Sequence, residues 1–271
     1  MVKLATARVF RSYGTRGSCN RCEYINAGLY VFVTFVLILG FLLLHYQHEA
    51  YKSALVLQLI GIGFIALVNA HDLFAHLAGI DYCLALLGFD LQLGLVEFTV
   101  PVLHLVGSIL MFIGVLMLLI QKERGSYGDT HNHGLGMLIS GPVFWLSGSI
   151  LDACQIYERA DRHVQILQKS VQIPFLFGSL LFLVGGIFNR HDVFMAKHHD
   201  YDFNGRKWIW LGMSGSLLFL IGGLMNVVKV FKTQQIDGMR LEKLRGGAQE
   251  RLRLRQRREG HAPLISSEEN R

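Results

Sequence analysis

Apolar residues in this chain gather into six blocks of about twenty: Tyr24–Leu44, Ala54–Leu73, Pro101–Ile120, Leu135–Ile156, Val171–Phe188 and Trp208–Val228. A helix of that length spans the hydrocarbon core of a bilayer. Six such blocks leave too little polar sequence to cover a soluble core of that size. The pattern predicts an all-α, polytopic membrane protein, a bundle of six helices. Tyr82–Phe98 is also apolar apart from Asp90, Gln92 and Glu97, and reads as an interfacial or re-entrant helix rather than a seventh span.

Inside the blocks one phrase recurs. Val-Gly107-Ser108-Ile-Leu-Met-Phe-Ile-Gly114, Phe-Gly178-Ser179-Leu-Leu-Phe-Leu-Val-Gly185 and Ser-Gly215-Ser216-Leu-Leu-Phe-Leu-Ile-Gly222 each place a Gly-Ser pair seven residues before another glycine. Seven residues are about two helical turns, so both glycines fall on one face, and smooth faces let membrane helices approach closely. A degenerate copy, Ser147-Gly148-Ser149, has Gly141 seven residues upstream of Gly148. Near-identity over ten residues points to duplicated helical units.

The last two copies, with the lead-in Arg206-Lys207-Trp208-Ile209-Trp210, resemble the YrhK-like membrane domain family. The resemblance covers mainly 171–189 and 206–228. It implies a helical membrane protein and carries no assigned chemistry or site residues.

Composition agrees with the pattern: 52% of the 271 residues are hydrophobic and 17% charged, against about 25% charged in soluble domains. Basic residues then set an orientation. Residues 1–23 hold Lys3, Arg8, Arg11, Arg16 and Arg21 without an acid, and the tail from Lys229 is densely basic. The excess places both termini in the cytosol. The leading segment reads as a cytosolic flank, with a mitochondrial transit peptide as the alternative. The expected domains are that flank (1–23), the membrane domain (24–228) and a partly disordered basic tail (229–271). Arg251, Arg253, Arg255, Arg257 and Arg258 suit anionic lipid. Nucleic acid is not an expected partner, since no aromatic residues interleave with these charges. The expected partners are the bilayer, its anionic lipids, and a second membrane helix or copy of the chain. A Leu264-Ile265 pair near the end hints at endomembrane traffic, leaving plasma membrane and endomembrane as candidate locations.

Candidate chemistry rests on histidine. His45, His48, His131, His133, His191, His198 and His199 collect on the non-cytosolic side with Asp129, Asp192, Asp200 and Asp202. The His-x-His and His-His spacings suit a divalent metal or a pH response. On the cytosolic side, Asn69, His71, Asp72 and His76 end the second block, and Glu97 and His104 flank the third. Ionisable groups in a membrane are functional candidates by default. His71 and His104 are expected to meet across neighbouring helices, with Asp72 orienting His71. The metal candidates are therefore His71, Asp72, His104, His198 and His199; a proton path, a structural hydrogen bond and axial haem ligation by His71 and His104 are the other readings. Which cofactor, if any, the chain carries is left open. Cys19-Asn-Arg-Cys22 is half of a zinc ribbon, and Cys83 and Cys154 are not spaced as the other half.

Nucleotide-binding and hydrolase patterns are absent from the sequence. The first expectation is a non-enzymatic structural or assembly component. A proton- or divalent-metal-linked transporter or sensor is the second, and a bis-His haem redox protein the third.

Overall fold

The computed structural model describes residues 16–46, 51–81, 98–124, 129–153, 162–198 and 207–259, with side chains over 24–45, 51–74, 98–123, 132–153, 166–193 and 207–232. These residues form six α-helices: α1 (Arg16–Tyr46), α2 (Tyr51–Asp81), α3 (Val100–Arg124), α4 (Asp129–Ala153), α5 (Arg162–His198) and α6 (Lys207–Glu259). Among the described residues there are no strands. Each helix contains a span of 22–28 residues long and apolar enough to cross a bilayer. The protein is a six-helix, multi-pass membrane bundle. Most of the 82–98 segment, Cys83, Cys154 and Asp200 lie outside the described residues. Two compact units are distinguished, 1–230 and 231–271, and the helical bundle belongs to the first.

The helices close into a ring of antiparallel neighbours. α1 packs on α2, α2 on α3, α3 on α4 and α4 on α5, and Gly178 and Gly215 bring α5 against α6. The ring is completed by Gly212 and Gly223 of α6, which lie against Phe41 and Tyr30 of α1. Only 33–39% of each span is buried. The outward faces carry Phe32, Phe64, Leu67, Ile150, Phe177 and Leu224, apolar surface on a scale that calls for lipid.

The recurring phrase is the packing device of two hairpins. In α3–α4, a Cβ on Gly107 would lie 2.7 Å from the Gly141 carbonyl oxygen and 2.5 Å from Trp145. Conversely, one on Gly141 would lie 2.9 Å from the Gly107 carbonyl oxygen and 2.5 Å from Met111. In α5–α6, Gly178 meets Gly215 and Phe219, while Gly215 meets Gly178 and Phe182. The rule is the same in both. Glycine faces glycine, and the large residue four positions later on each helix fills the hollow beside the partner's glycine. The spacing i, i+4 puts hollow and filler on one face.

The second glycines repeat the contact one heptad along: Gly114 lies against Gly134, Gly185 against Trp208 and Leu211, and Gly222 against Phe175. Both glycines of each phrase thus face the hairpin partner. The α1–α2 hairpin has a looser version, with Gly40 against Ala54 and Gln58, and Gly61 against Leu37.

The serines behave alike too. Ser108, Ser179 and Ser216 are fully buried and donate to the carbonyl four residues back, on His104, Phe175 and Gly212. That satisfies the hydroxyl where no water is available. The fillers then meet at the centre of the ring. Trp145 stands edge-on to Phe182 and Phe219, at 5.7 and 5.4 Å between centroids, a favoured aromatic geometry.

Candidate functional site

Polar groups inside the bundle lie in a file along α2, α3 and α4. The first station is His104, one turn into α3. Its imidazole lies over Gly148 of α4, where a Cβ would be 2.3 Å from the ring. Glycine at 148 is therefore what admits the ring. His104 is half-buried as a residue, but its Nε2 is closed off from solvent and, among the described residues, has no hydrogen-bond partner. The carboxylates of Asp152 on α4 and Asp72 on α2 lie close enough for their charge to act on this ring. Asp152 is held from a fourth helix, since Gln172 of α5 donates to its backbone carbonyl at 2.8 Å.

One turn deeper is a closed knot. The Asn69 amide donates to Ser108 Oγ at 2.7 Å and to the His104 carbonyl at 3.2 Å. The Trp145 indole donates to the same two acceptors, both at 3.1 Å. Three helices are tied through the backbone that carries His104. Such interhelical bonds contribute about 0.6 kcal/mol each on average in a membrane.

Beyond the knot is a cavity of ≈ 50 Å³ walled by residues of all six helices, with Gln58, Asn189 and the indoles of Trp145 and Trp208 as its polar side chains. Along α2 the order is Asp72, Asn69, Gln58; along α3 it is His104, Ser108, Met111; along α4 it is Asp152, Trp145, Leu138. The file thus runs from the His104 end of the bundle toward the end where α1 and α3 finish and α2 and α4 begin.

Of the residues singled out in the sequence, Asp72 lies close enough for its charge to act on His104, and His71, the residue expected to meet His104, is half-buried on the same turn of α2. His199 lies outside the described residues, as does the His198 side chain; the same holds for His48, His131, Cys19 and Cys22. Of the remaining loop-side histidines, His45 packs edge-on to Trp210 at 4.8 Å. His191 sits 3.8 Å from Asp192 on the surface, and His133 is exposed. Among the described residues, no group of three or more His, Cys, Asp or Glu is placed to hold a metal ion.

Asp152 and Gln58 are functional candidates that the sequence alone does not single out. A signal for Asp152 existed: Gly141, Trp145, Gly148 and Asp152 form one stripe at helical spacing, the face of α4 that meets α3. Gln58 is the one polar residue in the otherwise apolar stretch 54–68.

Comparisons with protein-family models, with curated proteins and with solved structures each find no match.

Proposed function

We propose that the chain is a proton-linked membrane transporter or sensor centred on His104. The observation that carries this is a histidine ring inside a span, close enough to Asp152 and to the exposed Asp72 for their charge to act on it, with a shielded and unpartnered nitrogen. A proton taken up at Nε2 would place its charge within electrostatic reach of Asp152 and Asp72. Ionisable groups at such positions are costly and tend to mark ion paths. Asn69, Ser108 and Trp145 lie next along the file and can hold or pass hydrogen bonds toward the cavity. With both termini cytosolic, His104 stands in the cytosolic half. A proton is the better-supported cargo than a divalent metal, because His71, Asp72 and His104 do not gather as a ligand set.

The test is purified protein in liposomes carrying a pH-sensitive dye, with a pH gradient imposed. The unmodified chain is expected to collapse the gradient at least tenfold faster than His104→Phe. Equal rates would remove the proposal. The second reading is a structural or assembly component, and the Asn69–Ser108–Trp145 knot favours it, because it ties helices without moving anything. On that reading His104→Phe changes stability and leaves the gradient untouched.

A further inference from the structure

The cavity beyond the knot has a composition of its own. Among the described residues, no ionisable side chain lines it. Its wall is mostly aliphatic and aromatic, with Phe41, Ile62, Val115 and Phe182 around the polar positions. Gln58 is the exception that asks for an occupant. It is 5% exposed, and among the described residues its amide nitrogen has no hydrogen-bond partner. An unsatisfied buried donor costs about 1–3 kcal/mol, and a single Gln-to-Leu change would remove it.

A second feature aims backbone polarity at the same place. Pro142 lies inside α4 and lacks the N–H that would bond to the Leu138 carbonyl. That carbonyl instead points at α5, where a Cβ on Gly186 would lie 2.8 Å from its oxygen. Leu138 and Gly186 both line the cavity. Irregular backbone at membrane depth is tolerated where it lines a cavity.

We propose that this cavity is a binding site for a small, uncharged, mainly apolar molecule bearing one hydrogen-bond-accepting oxygen, with the Gln58 amide as its donor. A short-chain alcohol has that chemistry. The volume admits only a few heavy atoms, or about three waters. Ions are disfavoured, because a buried charge needs a countercharge and the lining offers none. The site does not depend on His104 taking up protons, so it stands apart from the transport reading.

The cavity carries its own reporter. Of the three tryptophans in the chain, Trp145 and Trp208 line it, and Trp210 is 53% exposed. In Trp210→Phe protein in detergent, with no pH gradient, trichloroethanol serves as a neutral alcohol that quenches indole emission. Quenching is expected to saturate, n-butanol to reverse it competitively, and acetate to have no effect. Adding Gln58→Leu should move the midpoint at least tenfold higher. Quenching that rises linearly without saturation, with no relief by n-butanol, would overturn the site, since it reports partition into the micelle. Equal competition by acetate would overturn the uncharged class, and an unmoved midpoint in Gln58→Leu would overturn the donor. The n-butanol competition uses no cavity variant, so it decides the matter even where Gln58→Leu does not fold.

Discussion

Replacing Gly107 by alanine adds one methyl group where the bundle has no room for it. The new Cβ would lie 2.5 Å from the Trp145 ring and 2.7 Å from the Gly141 carbonyl oxygen. Neither neighbour is the loose end of a flexible side chain. One is backbone of α4, and the other is an indole wedged between Phe182 and Phe219. Overpacking of this kind costs about 1–3 kcal/mol. Trp145 also donates to Ser108 and to the His104 carbonyl, so pushing the ring away weakens bonds worth about 0.6 kcal/mol each. The sum is about 2–4 kcal/mol, a factor of roughly 30 to 1000 in the unfolding equilibrium at about 1.4 kcal/mol per tenfold.

The control is Gly136→Ala on α4, where a Cβ meets nothing within 4 Å. There the higher helix propensity of alanine predominates, and stability should hold or rise by up to about 1 kcal/mol. Equilibrium unfolding of both variants in mixed micelles, titrated with a denaturing detergent, separates them. Gly107→Ala within about 0.5 kcal/mol of Gly136→Ala, the margin for a change that touches nothing, would refute the reciprocal glycine packing.

Other consequences are sharp in the same way. Gly178→Ala and Gly215→Ala should each cost about 1–3 kcal/mol in the same titration, because each Cβ meets a phenylalanine and the facing glycine's backbone. Ser108→Ala should destabilise more than Ser216→Ala. Ser108 accepts from Asn69 and Trp145, whereas Ser216 bonds back to Gly212 within its own helix; comparing the two unfolding midpoints checks the order. Gln58→Leu should stabilise the empty protein by about 1 kcal/mol by removing an unsatisfied donor, read as a higher midpoint. Asp152→Asn should slow dissipation of a pH gradient in liposomes several-fold while leaving the unfolding midpoint near that of the unmodified chain.

Six spans and the faces of the recurring phrase were legible because length and helical period are properties of the chain itself. Gly107 and Gly114 do share a face, as do Gly178 and Gly185. What fills the hollows was not legible. Met111, Phe182 and Phe219 looked like ordinary apolar residues, and only the pairing of antiparallel helices shows each entering the space beside its partner's glycine. The candidate site divides along the same line. His104 and Asp72 stood out as ionisable residues in or beside apolar blocks. Asp152 sat near the end of the fourth block like a boundary residue; only its place on the Gly141–Trp145–Gly148 stripe marked it, and a stripe does not say which residue lies opposite. Gln58 and the Leu138 carbonyl were less visible still. An amide's lack of a partner is a fact about neighbours, and a carbonyl without its usual donor depends on where Pro142 falls against α5.

Chemical rescue is the sharpest test of whether the His104 ring itself carries protons. His104→Gly in liposomes should lose gradient dissipation and leave a hollow above Gly148 the size of the missing ring. Added imidazole should then restore the flux in a saturable way, and should not raise it in the unmodified chain. Flux in His104→Gly equal to that of the unmodified protein before any imidazole is added would contradict proton transfer through this ring.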